Sequence, residues 1–70
     1  MFYKENLIFL LKKYNYSQSE LARRMNISRQ SFSLIMKGEN PQATTLIKLS
    51  EIFQVSIDDL LLKDLSKEEN

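Results

Sequence analysis

Leu7, Leu10, Leu11 and Tyr14 recur at spacings of three and four. That is the period of an amphipathic helix, and it predicts a first helix over about residues 3–14. Asn15 tolerates a left-handed backbone and closes it. Ser17 offers the side-chain oxygen that a helix N-cap needs. With Glu20 three residues on, it has the form of a capping box opening a second helix. Leu21, Ala22 and Met25 give that helix its apolar side. Asn26 breaks the run as another left-handed residue. Ser28 caps a third helix with Phe32 and Ile35 on its apolar side, and Gly38 ends it. "ENPQ" reads as a loop, because the residue before Pro41 is pushed out of the helical region. Leu46, Leu49, Ile52 and Phe53 predict a fourth helix over residues 45–53, and after "QVS" Ser56 caps a fifth with Leu60 and Leu61 inward. No stretch alternates with period two for long. The pattern therefore predicts an all-α, compact five-helix bundle: one domain over residues 1–70, its core at about 3–62 and a frayed polar tail at 63–70. Leu21, Ala22, Phe32, Ile35, Leu49 and Ile52 are expected to be buried together.

Composition narrows the chemistry. The chain of 70 residues has no cysteine and no histidine. Disulfides, thiolate metal sites, zinc-finger ligation and a histidine general base are thereby excluded. A single glycine excludes a glycine-rich phosphate loop. Asp58 and Asp59 are adjacent, so they do not face each other on a helix; they read as favourable charge near a helix N-terminus. No cofactor, metal ion or catalytic residue is expected. No run approaches the roughly 20 apolar residues of a membrane span. "NLIFLL" lacks the basic region and cleavage site of a signal peptide. A cytoplasmic protein without membrane contact is expected.

The net charge of +1 conceals an asymmetry. Residues 17–38 carry Arg23, Arg24, Arg29 and Lys37 against Glu20, whereas residues 50–70 carry six carboxylates against two lysines. One face suits an anion and another does not. The same segment, "SQSELARRMNISRQSFSLIMKG", holds two short helices around a tight turn, the requirement of a helix-turn-helix. Leu21 and the small Ala22 suit a close crossing, and Asn26 with Ile27 suits a left-handed turn followed by an apolar plug. Phe32 and Ile35 pin the back of the third helix. Arg29, Gln30, Ser31 and Ser33 leave its front polar, as a helix entering a major groove N-terminus first requires. Arginine matches guanine N7 and O6, and glutamine matches adenine N7 and N6. Arg23 and Arg24 read as a solvated face.

From about Leu7 to Leu62 the chain resembles the Cro/C1-type (XRE-like) helix-turn-helix family of phage and bacterial transcriptional regulators. The resemblance is carried by Gln18, Leu21, Ala22, Ile27, Ser28, Ile35, Gly38, Pro41, Leu49, Val55, Ser56 and Leu61 as a set. It implies a lambda-repressor-like DNA-binding domain with the helix-turn-helix in the second and third helices. It implies that Arg29, Gln30 and Ser31 touch base edges with Ser33 beside them. Ser17, Gln18 and Lys37 take positions that contact the DNA backbone. Departures are apolar Leu34 and Met36 where the family is polar, Leu11 where it often has arginine, and Asn26 in place of glycine. Leu34 and Met36 are two apart, so at least one is expected to be exposed.

Two functions follow. The first is a sequence-specific regulator, a small phage or mobile-element type repressor, binding operator DNA as a homodimer. The second is a switch module of the same fold that engages a partner repressor through a patch at Leu34 and Met36. An enzyme has no residues to support it.

Overall fold

The computed structural model describes residues 1–38 and 41–68. It contains α1 (Tyr3–Lys13), α2 (Gln18–Met25), α3 (Arg29–Lys37), α4 (Ala43–Phe53) and α5 (Ile57–Leu62), then a 3-10 turn over Leu65–Glu68. No strand occurs among the described residues. The all-α expectation holds. Of the loop read as "ENPQ", Glu39 and Asn40 lie outside the described residues, as do Glu69 and Asn70 of the tail.

Three of the joints between helices share one construction. Asn15, Asn26 and Gln54 adopt left-handed backbones at φ 57°, 58° and 56°. In each case the next residue donates its amide five residues back: Tyr16 to Leu11 O, Ile27 to Ala22 O and Val55 to Ser50 O, at 2.9–3.2 Å. This closure satisfies carbonyls that a helix end leaves bare. Each of these next residues is apolar, half-buried and packed on the core. A serine follows immediately. Ser17, Ser28 and Ser56 accept the amides of Glu20, Ser31 and Asp59 at 3.0–3.1 Å. One helix is thus closed and the next opened within three residues after α2 and α4 and within four after α1, which fixes the angle between them without a free loop.

The core is built on α1, whose Tyr3, Leu7, Leu10 and Leu11 meet Leu21, Met25, Phe32, Leu49, Phe53 and Leu60 from the other helices. Burying each such side chain stabilises the fold by about 1.5–3 kcal/mol. Leu21, Phe32 and Leu49 are buried as expected; Ala22, Ile35 and Ile52 are only half-buried at the rim of the same cluster. Tyr14 is exposed rather than packed inside, and its hydroxyl donates to Phe53 O at 3.2 Å. α4 begins two residues earlier than the apolar pattern indicates, at Ala43, with Gln42 as an N-cap whose side chain makes no capping bond.

The tail differs most. Up to Glu68 it is not frayed: Leu65 packs on the core and its amide donates to Asn6 Oδ1 at 3.0 Å. Asn6 is the one buried polar side chain among the described residues, 1% exposed. Its Nδ2 donates to Leu60 O at 2.8 Å and Lys63 O at 2.7 Å, and lies 3.5 Å from Asp59 O. One amide therefore closes the C-terminal end of α5 and fastens the following turn to α1.

Tyr3 is buried, and its hydroxyl has no hydrogen-bond partner. Burial pushes its pKa up to about 12. The folded state thus holds this proton more tightly than the unfolded chain, whose tyrosines titrate near 10. The associated stability is complete below about pH 10 and lost as pH rises through about 12. Tyr3→Phe should raise stability at neutral pH by ~1 kcal/mol, because an unpaired buried hydroxyl is removed. It should also blunt the fall in urea midpoint between pH 10 and 12 relative to the parent. Identical pH profiles for the two proteins would contradict this.

Candidate nucleic-acid interface

α2 is short and amphipathic, and its polar first turn is bare. Ser17 caps it through the Glu20 amide, and Gln18, its first residue, is exposed. The amides of Gln18 and Ser19 precede the first intrahelical donor, so the positive end of the helix points outward. The capping box is half-formed. Instead of reaching back to Ser17, the Glu20 carboxylate takes Arg23 and, at 2.9 Å, Arg24 Nε. The hydrogen bond from Arg23, then the two guanidinium charges, hold the Glu20 carboxyl below the usual carboxylate range. The Arg24 guanidinium also lies 4.6 Å over the Tyr16 ring. Arg23 and Arg24 thus form the solvated face expected of them.

The turn Asn26–Ile27–Ser28 sets α3 against α2. On α3, Phe32 is buried at 3% exposure, and Ile35 and Met36 are half-buried against the core. Arg29, Gln30, Ser31 and Ser33 are all exposed. The Ser28 hydroxyl donates to Ser31 Oγ at 3.1 Å. Lys37 ends the helix and is exposed. Gly38 closes it at φ +76°, where a Cβ would stand 2.9 Å from Lys4 Cβ. Only glycine suits both that backbone and that approach of α3 to α1.

The structure separates the two apolar departures. Leu34 is 63% exposed, whereas Met36 packs against the core. They do not form one patch, because positions two apart on a helix face different ways. Gln18 and Arg29 flank a groove of about 540 Å3 between α2 and α3. Ser31, Leu34 and Lys37 line a second, of about 460 Å3, between α3 and α4. Gln30, Ser33 and Met36 line neither. One contact at this site has no sequence signal: Lys48 Nζ, from α4, donates to Met25 O at 3.0 Å, 23 residues away.

Two short helices joined by a left-handed turn, the second pinned behind and polar in front, define a helix-turn-helix unit. The chain belongs to the Cro/C1-type helix-turn-helix family of DNA-binding transcriptional regulators: the family model described as "Helix-turn-helix" matches residues 7–60. It is similar to the HTH-type transcriptional regulator ImmR of Bacillus subtilis, 37% identical over 84% of this chain and 47% of that protein. It is likewise similar to an uncharacterized HTH-type transcriptional regulator of Archaeoglobus fulgidus, 32% identical over 74% of this chain and 75% of that one. A third relative is the uncharacterized HTH-type transcriptional regulator MJ0272 of Methanocaldococcus jannaschii, 30% identical over 84% and 91%. The chain spans about half the length of ImmR. No solved structure matches it significantly. No helix among the described residues is long and apolar enough to cross a membrane.

Proposed function

We propose that the chain is a sequence-specific regulator, a repressor of the small phage or mobile-element type, that works in the cytoplasm as a homodimer on operator DNA. The observation that carries this is the division of α3: Phe32 is buried, while Arg29, Gln30, Ser31 and Ser33 around it are all exposed. In this reading Arg29 and Gln30 read bases, and Ser31 and Ser33 lie against them. Ser17, Gln18 and the first-turn amides of α2 grip one phosphate run, and Lys37 grips another. One reading helix makes few contacts. Two, set about 34–36 Å apart by a dimer, cover half-sites one DNA turn apart. The name of the Bacillus subtilis relative, an HTH-type transcriptional regulator, supports the same role.

The test is selection of a preferred duplex from a random pool, followed by affinity measurements over a range of salt. Arg29→Ala and Gln30→Ala should each cost ~1–3 kcal/mol on the preferred duplex and flatten base preference. Lys37→Ala should weaken all duplexes alike and reduce the salt slope by about 1. A chain that binds no duplex in a salt-sensitive way would overturn the reading.

The exposure of Leu34 favours a second reading, in which the same face of α3 engages a partner repressor. Leu34→Glu separates the two. It should abolish capture of a repressor encoded beside this gene if that reading holds. If Leu34 lies against DNA, it should instead lower affinity for the selected duplex.

A further inference from the structure

We infer that Lys48 is a positioning residue for the reading helix, a bracket that holds the α2–α3 turn from α4; this rests on the DNA-reading role of α3 proposed above. The Ala22 and Arg23 carbonyls are taken by the amides of Asn26 and Ile27. The Met25 carbonyl belongs to the peptide that leads into Asn26, and it receives no main-chain amide among the described residues. It receives Lys48 Nζ at 3.0 Å.

The bond sits where the fold needs it. Asn26 is held at φ 58° without the freedom of glycine. Rotating the Met25–Asn26 peptide changes the backbone angles on both sides of it, and hence the angle at which α3 leaves the turn. An ammonium on that carbonyl opposes the rotation. It also sits at the negative end of α2, where a cation is favoured. α2 has only eight residues, so its end is a large part of it. Base edges tolerate errors of about 0.5 Å and 10–20° in a reading side chain, whereas attraction to phosphates tolerates more. Losing the bracket should therefore damage discrimination before it damages general affinity. A lysine acting as a phosphate contact would do the opposite.

The experiment uses the full chain as Lys48→Met, which keeps the stem and removes the donor, beside Lys48→Arg, which restores a charged donor. Lys48→Gln, with an uncharged donor, is carried through the same measurements and decides the matter if the methionine variant does not fold. Three quantities are read well below each melting temperature: affinity for the duplex selected by the parent, affinity for a scrambled duplex, and the amide shifts of Asn26, Ile27 and Ser28. The expected result for Lys48→Met is about tenfold weaker binding to the selected duplex. Scrambled binding and the salt slope should be nearly unchanged, the three amides should move, and arginine should reverse all of it. Glutamine should fall between.

Equal weakening of both duplexes with a salt slope lower by about 1 would overturn the inference in favour of a phosphate contact. A lower melting temperature with an unchanged ratio of selected to scrambled affinity would overturn it in favour of a purely structural bond. Amides that stay in place while the parent still selects a duplex would remove the role of Lys48 alone. A parent that selects no duplex would bring down the DNA-reading proposal and this role with it, whatever the amides do.

Discussion

Phe32→Ala should cost the domain ~3–5 kcal/mol, the range for removing a buried aromatic ring. A chain of this length has a total stability of about 4–10 kcal/mol at 0.05–0.15 kcal/mol per residue. The substitution should therefore bring the protein close to unfolding. A small domain loses about 4–8 °C of Tm for each kcal/mol, so thermal melting followed by circular dichroism should show a drop of ~15 °C or more. Phe32 carries this weight because it is the only fully buried side chain of α3 among the described residues. Arg29→Ala, three residues before it, should leave the melting curve in place. A Phe32→Ala protein that melts with the parent would mean the ring is not what holds α3 to the body.

Asn6→Ala should cost ~2–4 kcal/mol, because several buried groups lose their partner at once and each orphaned group costs about 1–3 kcal/mol. The Leu60 and Lys63 carbonyls lose their donor, and the Leu65 amide loses its acceptor. Asn6→Asp should be no better. It keeps the acceptor for Leu65 but turns a charged oxygen toward carbonyls where a donor is needed. Hydrogen exchange distinguishes this loss from general destabilisation. The Leu65 and α5 amides should exchange faster in Asn6→Ala by a larger factor than those of α2 and α3. Uniform acceleration across the chain would argue against a local fastening.

Much of this architecture can be read from the residues, because the features that set it are local. Ser17, Ser28 and Ser56 announce helix starts through their own oxygens, and Asn15 and Asn26 announce ends through a left-handed backbone that asparagine tolerates. Gln54 makes the same left-handed joint without such a signal. Its long side chain has no special preference for that region, and the surrounding pairing imposes it. Asn6 is invisible for a different reason. A polar residue on an amphipathic helix reads as surface, and only the arrival of α5 from more than 50 residues away makes it interior. Leu65 escaped in the same way, as one apolar residue in a polar stretch. Glu20 had the right spacing for a capping box, but Arg23 and Arg24 compete for its carboxylate at closer range. At the site, which face of α3 is bare follows from the pattern. That Leu34 faces solvent while Met36 is half-buried against the core is settled by how α3 rolls.

The division of α3 into an anchored side and a bare side has an evolutionary corollary. Arg29, Gln30 and Ser33 are exposed and bury nothing of the core. Surface substitutions of this kind usually change stability by no more than about 0.5 kcal/mol. A lineage can therefore exchange them nearly freely as far as folding is concerned, one position at a time, with no compensating change elsewhere. Under the DNA-reading role proposed for α3, descendants that share Phe32, Gly38 and the three serine caps would differ chiefly in what those exposed positions recognise. Mutational drift would then be free to wander along recognition while the scaffold stays under purifying selection.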